Sequence, residues 1–440
     1  MGYSGQCKCP LDSKLPSSGI SQLLFLFLSI PKSREGIMQL IEVTDKKTRK
    51  DFLDVARIIY KNDKTWVCPL DIEINNIFDP KENTFYSHGD ACRWILKDNS
   101  GNLIGRVAAF INEKKANTFD QPTGGMGFFE CIDNQDAAFK LFDQAKKWLS
   151  DRKMEAMDGP INFGENDVFW GLLVDGFTHP GYGMQYNPPY YQALFEAYGF
   201  EFYFEQVSNH LDMTKPFPER FAKIANWVMK KPGYEFKHLD YSETEKFVKD
   251  FVEIYNDGWQ FHENFSPMDP QNLRNQLEKA RDIIDPRLIW FAYVNEEPAA
   301  FIIMFPDANQ VIKHMNGKLN WWSKLKFFYY KNIAKVIDRG RVVIMGCKVK
   351  YQKSGVESGI FISVKNILDE LNKYKEMELS WVGDFNPKMR QLHESVGAVF
   401  AKKHITYRKL FDESKSLERS SIIAKDTREQ HLNQNESDAK

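Results

Sequence analysis

The stretch "NPPYYQALFEAYGF", residues 187 to 200, has a partner in "NPKMRQLHESVGAVF", residues 386 to 400. Aligned on Gly199 and Gly397, both copies carry Leu five residues earlier (Leu194, Leu392) and Glu three residues earlier (Glu196, Glu394). Both follow an Asn-Pro pair, Asn187-Pro188 and Asn386-Pro387. The pattern predicts a short helix that starts after an Asn cap and ends at a left-handed Gly, with a strand after it, "FEFYFEQVSNHLDM" or "AVFAKKHITYRKLF". A chain that repeats itself at this separation builds one local structure twice, which limits the admissible folds more than any bulk property does.

The surroundings repeat in the same order. First come a strand "QLIEV", a helix "TRKDFLDVARIIYKN", a hairpin "CRWILKDNSGNLIGRVAAFIN" turned at Asn99 to Gly101, a strand "GGMGFFECI" and a helix "DAAFKLFDQAKKWLSDR". Later come "YEFKHL", "ETEKFVKDFVEIYNDGW", "RLIWFAYVNEEPAAFIIMF", "RVVIMGCKV", "VESGIFISVKNILDELNKY" and "MELSWV". Two α+β units follow, expected over 38–213 and 214–411. The length agrees, since 440 residues exceed what one core usually serves.

Apolar residues make up 42% and aromatics 14%, so both units can bury a core. The balance of 59 basic against 60 acidic residues removes a global electrostatic argument for nucleic acid as a partner. Cys7, Cys9, Cys68, Cys92, Cys131 and Cys347 form neither a disulfide framework nor a metal-ligand spacing, so reduced thiols in a cytoplasmic protein and no metal are expected. Residues 1–37, with a short apolar run from Leu23 to Ile30, are expected to be a disordered leader or a mis-called start before Met38. The polar tail 412–440 is expected to be disordered.

The order of elements resembles the GNAT superfamily of acyl-CoA-dependent acyltransferases, present twice in tandem. The segments "WVCPL", "DPKENTFYSH", "GFFECID", "GPINF", "GLLVDGF" and "NPPYY" look like a bacterial group of tandem-GNAT N-acyltransferases that includes bacterial ceramide synthases. The resemblance covers roughly residues 38 to 411 and rests on the set of motifs. It implies two units, each a mixed, mostly antiparallel sheet flanked by helices. It also implies acyl-CoA as a co-substrate with no permanently bound cofactor, and a small-molecule or lipid amine as acceptor.

GNAT proteins carry Q/R-x-x-G-x-G/A between the long strand and the next helix, where backbone N–H groups face a pyrophosphate. In the second half that place reads "QKSGVE", with Gln352 and Gly355 matching and Glu357 where Gly or Ala is usual. Cys347, Val349, Gln352, Lys353, Ser354, Gly355 and Val356 are the expected CoA contacts, with Lys348, Lys350 and Lys353 gathered around them. In the first half the same place reads "CIDNQDAAF", without glycine, where Asp133 is expected to be the helix cap. The second half is therefore the expected CoA site, and the first a scaffold. His393, one turn before the closing Gly where the first copy has Phe195, is the expected proton donor to the departing thiolate. An exposed helix His is the plainer reading. Asn386 is a candidate for a pantetheine or carbonyl contact, and His314 and Glu357 are candidate bases. His262 and Glu263 fall where acceptor-binding segments lie in the GNAT fold.

Residues 318–341, "KLNWWSKLKFFYYKNIAKVIDRGR", form an insertion. On a helical wheel Trp322, Leu325, Tyr329, Ile333 and Val336 share a face, while Trp321, Phe327 and Phe328 fall among the lysines. Lys318, Lys324, Lys326, Lys331, Lys335, Arg339 and Arg341 against Asp338 give seven minus one, a local charge of plus six. An interfacial helix on the inner face of a membrane and a helix packed between the halves both fit this composition. The expected activity is transfer of an acyl group from a CoA thioester to an amine, with a lipid or sphingoid-base amine implied by the resemblance. A degenerate pair that binds acyl thioesters or a protein without catalysis is the alternative.

Overall fold

The computed structural model describes residues 38–119, 121–259, 268–281 and 284–420. The expectations for residues 1–37 and for His262 and Glu263 lie outside the described residues. The first half runs β1 (Gln39–Glu42), α1 (Lys46–Ile59), α2 (Asp71–Ile77), β2 (Gly89–Lys97), β3 (Leu103–Asn112), α3 (Glu113–Ala116), β4 (Thr123–Cys131), α4 (Gln135–Ser150), β5 (Ala156–Gly159), β6 (Leu172–Asp175), α5 (Tyr191–Ala197) and β7 (Glu201–Asp212). The second runs α6 (Glu219–Val228), β8 (Tyr234–His238), α7 (Thr244–Trp259), α8 (Pro270–Ala280), β9 (Ile289–Val294), β10 (Glu297–Pro306), α9 (Asn309–Ile312), α10 (Trp321–Phe328), β11 (Arg339–Cys347), α11 (Val356–Leu371), β12 (Glu376–Gly383), α12 (Pro387–Ser395) and β13 (Val399–Leu410).

Local chemistry sets these elements. The Asp45 side chain accepts from Thr48 N and so caps α1. The β2–β3 hairpin turns at Gly101, whose φ of 83° suits a residue without Cβ, while Asp98 accepts from the backbone of Ser100 and Asn102. The β9–β10 hairpin turns at Asn295 and Glu296, both at positive φ, as a two-residue primed turn requires.

All 13 strands belong to one mixed sheet in the order β1-β2-β3-β4-β5-β13-β7-β12-β11-β10-β9-β8, with β6 added on β13. In each half the long strand pairs in parallel with the strand after the next helix, β4 with β5 and β11 with β12, and the other pairs are antiparallel. The closing strands are exchanged. β13, from the second half, lies between β5 and β7 of the first, and β7 lies between β13 and β12. Each core shares in this: Ile405 and Tyr407 of β13 pack with α4 in one, and Leu211 of β7 packs with α11 in the other.

The insertion departs from expectation. Helix α10 has 8 residues and passes into a wider turn over Tyr329–Ile333, and the segment then leaves helical form. Arg339 and Arg341 belong to β11 and point into the interior, so they add nothing to a surface charge. The inward residues are Ser323, Phe327 and Tyr330, the latter two packed on the second-half core. Of the shared face, Trp322, Leu325, Tyr329 and Ile333 are exposed, as are Trp321 and Phe328, while Val336 packs on the second-half core. In the described part of the tail, 412–420, Lys415 pairs with Glu155 at 2.8 Å and Arg419 with Asp384.

Candidate active site

Strand β11 ends at Cys347, and the chain turns through Val349–Tyr351 into the 16-residue α11. Val349 N donates to Asp257 of α7 at 2.6 Å, which anchors the turn. Lys353 and Gly355 both take positive φ, 79° and 90°, and a Cβ on Gly355 would meet a Val228 methyl at 2.7 Å. The glycine is therefore needed both for its conformation and for the closeness of α6. Gly355 is the N-cap of α11, and at the helix start Ser354 Oγ accepts from Val356 N over a long 3.4 Å. Around it stand exposed Lys353, Lys231 donating to Ser354 O at 3.4 Å, and Lys388 donating to the Gln352 amide at 3.5 Å. Val356 is buried in the core.

Two of the basic residues expected near this loop are committed elsewhere. Lys348 is buried between Glu253 at 2.5 Å and Glu297 at 2.8 Å, and Lys350 pairs with Glu297 at 2.6 Å. Their charges hold α7 and the β9–β10 hairpin to the end of β11. The Glu357 side chain turns in toward the Cys347 thiol. Burial, then the nearby Glu357 carboxyl, pushes that thiol well above its usual range, and burial raises Glu357 as well. A thiol that keeps its proton is no nucleophile.

The expected catalytic residues do not assemble here. His393 is buried on α12, with Asn209 of β7 at 3.0 Å from Nδ1, and burial pushes its pKa down to about 4. The imidazole is neutral at pH 7, so the proton-donor role built on an unperturbed pKa loses its basis. The exposed alternative fails too. Asn386 caps α12, accepting from Met389 N at 3.3 Å. Asn187, its counterpart, instead bonds both the N–H and the carbonyl of Leu173, and α5 starts without an Asn cap. His314 follows α9 and stacks on Tyr330 with ring centroids 3.7 Å apart. That segment leaves β10 at Pro306, which pairs with Gly340, so it lies at the far end of β11 from Gly355, about 26 Å along the strand at 3.3 Å per residue.

In the first half the helix start after β4 is closed. Asn134, not Asp133, is the cap: its extended backbone lets its side chain accept from Ala137 N at 2.8 Å, while Asp133 is exposed one residue earlier. Past the β4–β5 pairing the chain folds back, with Ile161 N donating to Met126 O at 2.9 Å.

The first half nevertheless holds a cavity of 330 Å³ with walls from α1, α2, β3, β4, the 168–186 segment and α9. Glu130, buried at its edge, accepts from Tyr60 Oη at 2.7 Å, Tyr191 Oη at 2.8 Å and Arg106 at 3.4 Å. Burial raises its pKa, and burial followed by the Glu130 charge raises both tyrosines. Arg106 also donates to Phe52 O at 2.9 Å. Glu73, on another wall, accepts from Tyr182 Oη at 2.5 Å and Leu70 N at 3.3 Å. Sequence reasoning passed over these residues, although Glu130 lies in "GFFECID" and Tyr191 in "NPPYY". The quoted motifs interlock: Tyr191 meets Glu130, Asn187 meets Leu173, and Asn83 of "DPKENTFYSH" donates to Phe163 O of "GPINF" at 2.9 Å.

No protein-family profile matches the chain. The bacterial ceramide synthase of Caulobacter vibrioides (strain NA1000 / CB15N) is 30% identical over 391 residues, spanning 86% of this chain and 98% of that protein. Protein YghO of Escherichia coli (strain K12) is 26% identical over 396 residues, 89% of this chain and 99% of its own. Among solved structures, a tandem GNAT protein from the clavulanic acid biosynthesis pathway matches with a TM-score of 0.51 at 9% identity, over 86% of this chain and 100% of that one. A GCN5-related glucosamine N-acetyltransferase region of a fungal GH3 β-N-acetylglucosaminidase matches with a TM-score of 0.52 at 12% identity, over 85% of this chain and 38% of that one. These two likenesses establish the fold, the expected α+β pair of tandem GNAT units, and the identity over nearly the whole ceramide synthase establishes kinship. The chain belongs to the family of the bacterial ceramide synthase, as an N-acyltransferase on a doubled GNAT fold.

Proposed function

We propose that the protein moves a long-chain acyl group from a CoA thioester to the primary amine of a lipid, a sphingoid base being the class that the name of its Caulobacter relative suggests. The observation that carries the donor half is the contrast between the two helix starts. At α4 the Asn134 side chain accepts from one amide, Ala137 N at 2.8 Å, with Asp133 and Asp136 beside it. At α11 the cap is a left-handed glycine, Ser354 Oγ reaches one amide, Val356 N, at a long 3.4 Å, the first-turn carboxyl Glu357 turns in toward Cys347, and exposed Lys353 stands beside the loop. A pyrophosphate is favoured at the second start and repelled at the first.

The chemistry needs no covalent enzyme intermediate. The neutral amine attacks the thioester carbonyl carbon, the C–S bond breaks, the nitrogen loses a proton and the CoA thiolate gains one. The protonated Cys347 thiol fits this direct course.

The lipid acceptor is supported by the outward face of α10. Trp321 and Trp322 are 65% and 69% exposed, and Leu325, Phe328, Tyr329 and Ile333 are exposed around them. Lys318, Lys324, Lys326 and Lys335 are exposed in the same segment. Aromatic and aliphatic side chains among lysines suit the headgroup layer of an anionic bilayer. Among the described residues no helix is long and apolar enough to cross a membrane, so the contact proposed is peripheral.

Mass spectrometry after incubation with palmitoyl-CoA and sphinganine should show the amide together with one free CoA per amide. Absence of amide with every acyl-CoA and amine of a panel would refute the reading. Sedimentation with anionic vesicles at low salt tests the membrane contact: Trp321→Ser with Phe328→Ser should weaken it and leave the melting temperature near wild type.

A further inference from the structure

We infer that the first-half cavity is the seat of the acceptor's head group, with Glu73 as counter-ion to a primary ammonium and Arg106 as donor to a neighbouring oxygen. This rests on the amine-acceptor reading above and gives it a place and residues.

The charges around the cavity do not balance without a ligand. Its lining carries two carboxylates, Glu73 and Glu130, and one guanidinium, Arg106. Arg106 lies on Glu130, which two tyrosine hydroxyls also satisfy. Glu73 is held only by neutral donors, Tyr182 and Leu70, and among the described residues it has no ion-pair partner. A half-buried carboxylate with neutral donors alone carries a desolvation cost that a bound cation offsets. Consistent with this, burial raises the Glu73 pKa.

Arg106 supplies a second, independent sign of a ligand. It is buried and lines the same cavity, with its terminal nitrogens on Phe52 O and Glu130, and its Nε, itself shielded from water, has no partner. A buried donor of this kind is costly unless an acceptor arrives. A hydroxyl or carbonyl oxygen beside an amine meets that need, and a plain ammonium does not. The rest of the wall is apolar, including Trp66, Ile74, Phe128 and Ile312, and suits the start of a hydrocarbon chain. At 330 Å³ the space falls in the range of small-ligand pockets.

The cavity also adjoins the membrane-facing segment. Asn309 and Ile312 of α9 form part of its wall. Between α9 and α10 the chain is tied to the helices of the opposite wall, with Arg57 of α1 donating to Asn316 O at 3.2 Å and Asp71 N of α2 to Gly317 O at 2.7 Å.

The test compares decylamine with 1-decanol by calorimetry on the full chain without acyl-CoA. Wild type should prefer the amine, and Glu73→Gln, whose amide oxygen can still accept from Tyr182, should weaken the amine about tenfold and leave the alcohol unchanged. Ile77→Trp, which fills the cavity, should weaken both. Equal binding of the two probes by wild type, or binding of neither, overturns the inference without any variant having to fold. Activity separates this inference from the proposed function. If acyl transfer to sphinganine occurs and Glu73→Gln leaves its KM unchanged, the site assignment falls and the function stands. If the amine binds through Glu73 and no acyl-CoA yields an amide, the function falls and the site stands.

Discussion

Gly125 and Arg341 occupy the same place in the two halves, the last parallel pair between the long strand and its neighbour, opposite Asp158 and Glu378 respectively. From that matched point the halves diverge. Gly125 leaves room for the ring of Phe110, whose atoms would stand 2.1 Å from a Cβ there, and Asp158 takes both arms of Arg408 at 2.6 and 2.8 Å. Arg341 instead sends its guanidinium across to the carbonyls of Tyr182 and Asp167 in the first half. Glu378 is shared between Lys402 at 2.8 Å and Arg339 at 3.7 Å. The duplicated scaffold has thus divided its labour by side chain: the first half caps its helix start with Asn134 and forms most of the wall of a cavity, and the second starts its helix at a left-handed glycine.

The largest expected effect concerns the Asp158–Arg408 pair. Arg408→Ala leaves a buried carboxylate alone and should cost about 3–5 kcal/mol in a urea melt. Lys402→Ala should cost clearly less, because Glu378 retains Arg339. Equal losses would erase the distinction between one-partner and two-partner sites.

Next comes His393→Phe, which writes Phe195 into the second copy. It leaves the Asn209 amide without its ring partner and should cost about 1–3 kcal/mol at pH 7.5. With the folded pKa near 4, below the unfolded value of about 6.5, His393 contributes stability that is complete above pH 6.5. That contribution drains away as pH falls from 6.5 toward 4. Thermal melts of the Phe variant should decline less steeply over this window, with kcat near wild type. A roughly hundredfold or larger loss of kcat would restore His393 as a general acid.

The smallest concerns the helix starts. Lys353→Glu should weaken palmitoyl-CoA binding about tenfold, and Asp133→Lys should leave it unchanged. Loss from the second variant alone would move the donor site to the first half.

The order of elements was legible because each announces itself locally, through period, cap and turn, as at Asn99 to Gly101. The exchange of closing strands was not, since the alternation of β7 and β13 is the same whichever strand lies beside them. The wheel of the insertion missed the inward set, Ser323, Phe327 and Tyr330, because which side chains are covered depends on the apolar seat that the second core offers Phe327 and Tyr330. The burial of His393 could have been read from the other copy. Phe195, at the same place in the other copy and fully buried, already marked that position as interior. Glu130 stood in a quoted motif, but its importance depends on Tyr60, 70 residues away in the chain. Motif spacing carries no sign of such a meeting.

The exchanged strands bear on how the protein is made. Asp158 and Arg408 are separated by 250 positions, so the first half leaves the ribosome with β5 lacking one neighbour, β13, and β7 lacking both of its own, β13 and β12. Open strand edges invite pairing with other chains, and long sequence separations slow folding. The nascent first half therefore waits, unfinished, for residues translated after nearly everything they will touch. A premature stop before Val399 would leave two incomplete sheets, not one intact domain and one missing. The gene cannot be split between the halves without separating each sheet from the strand that completes it.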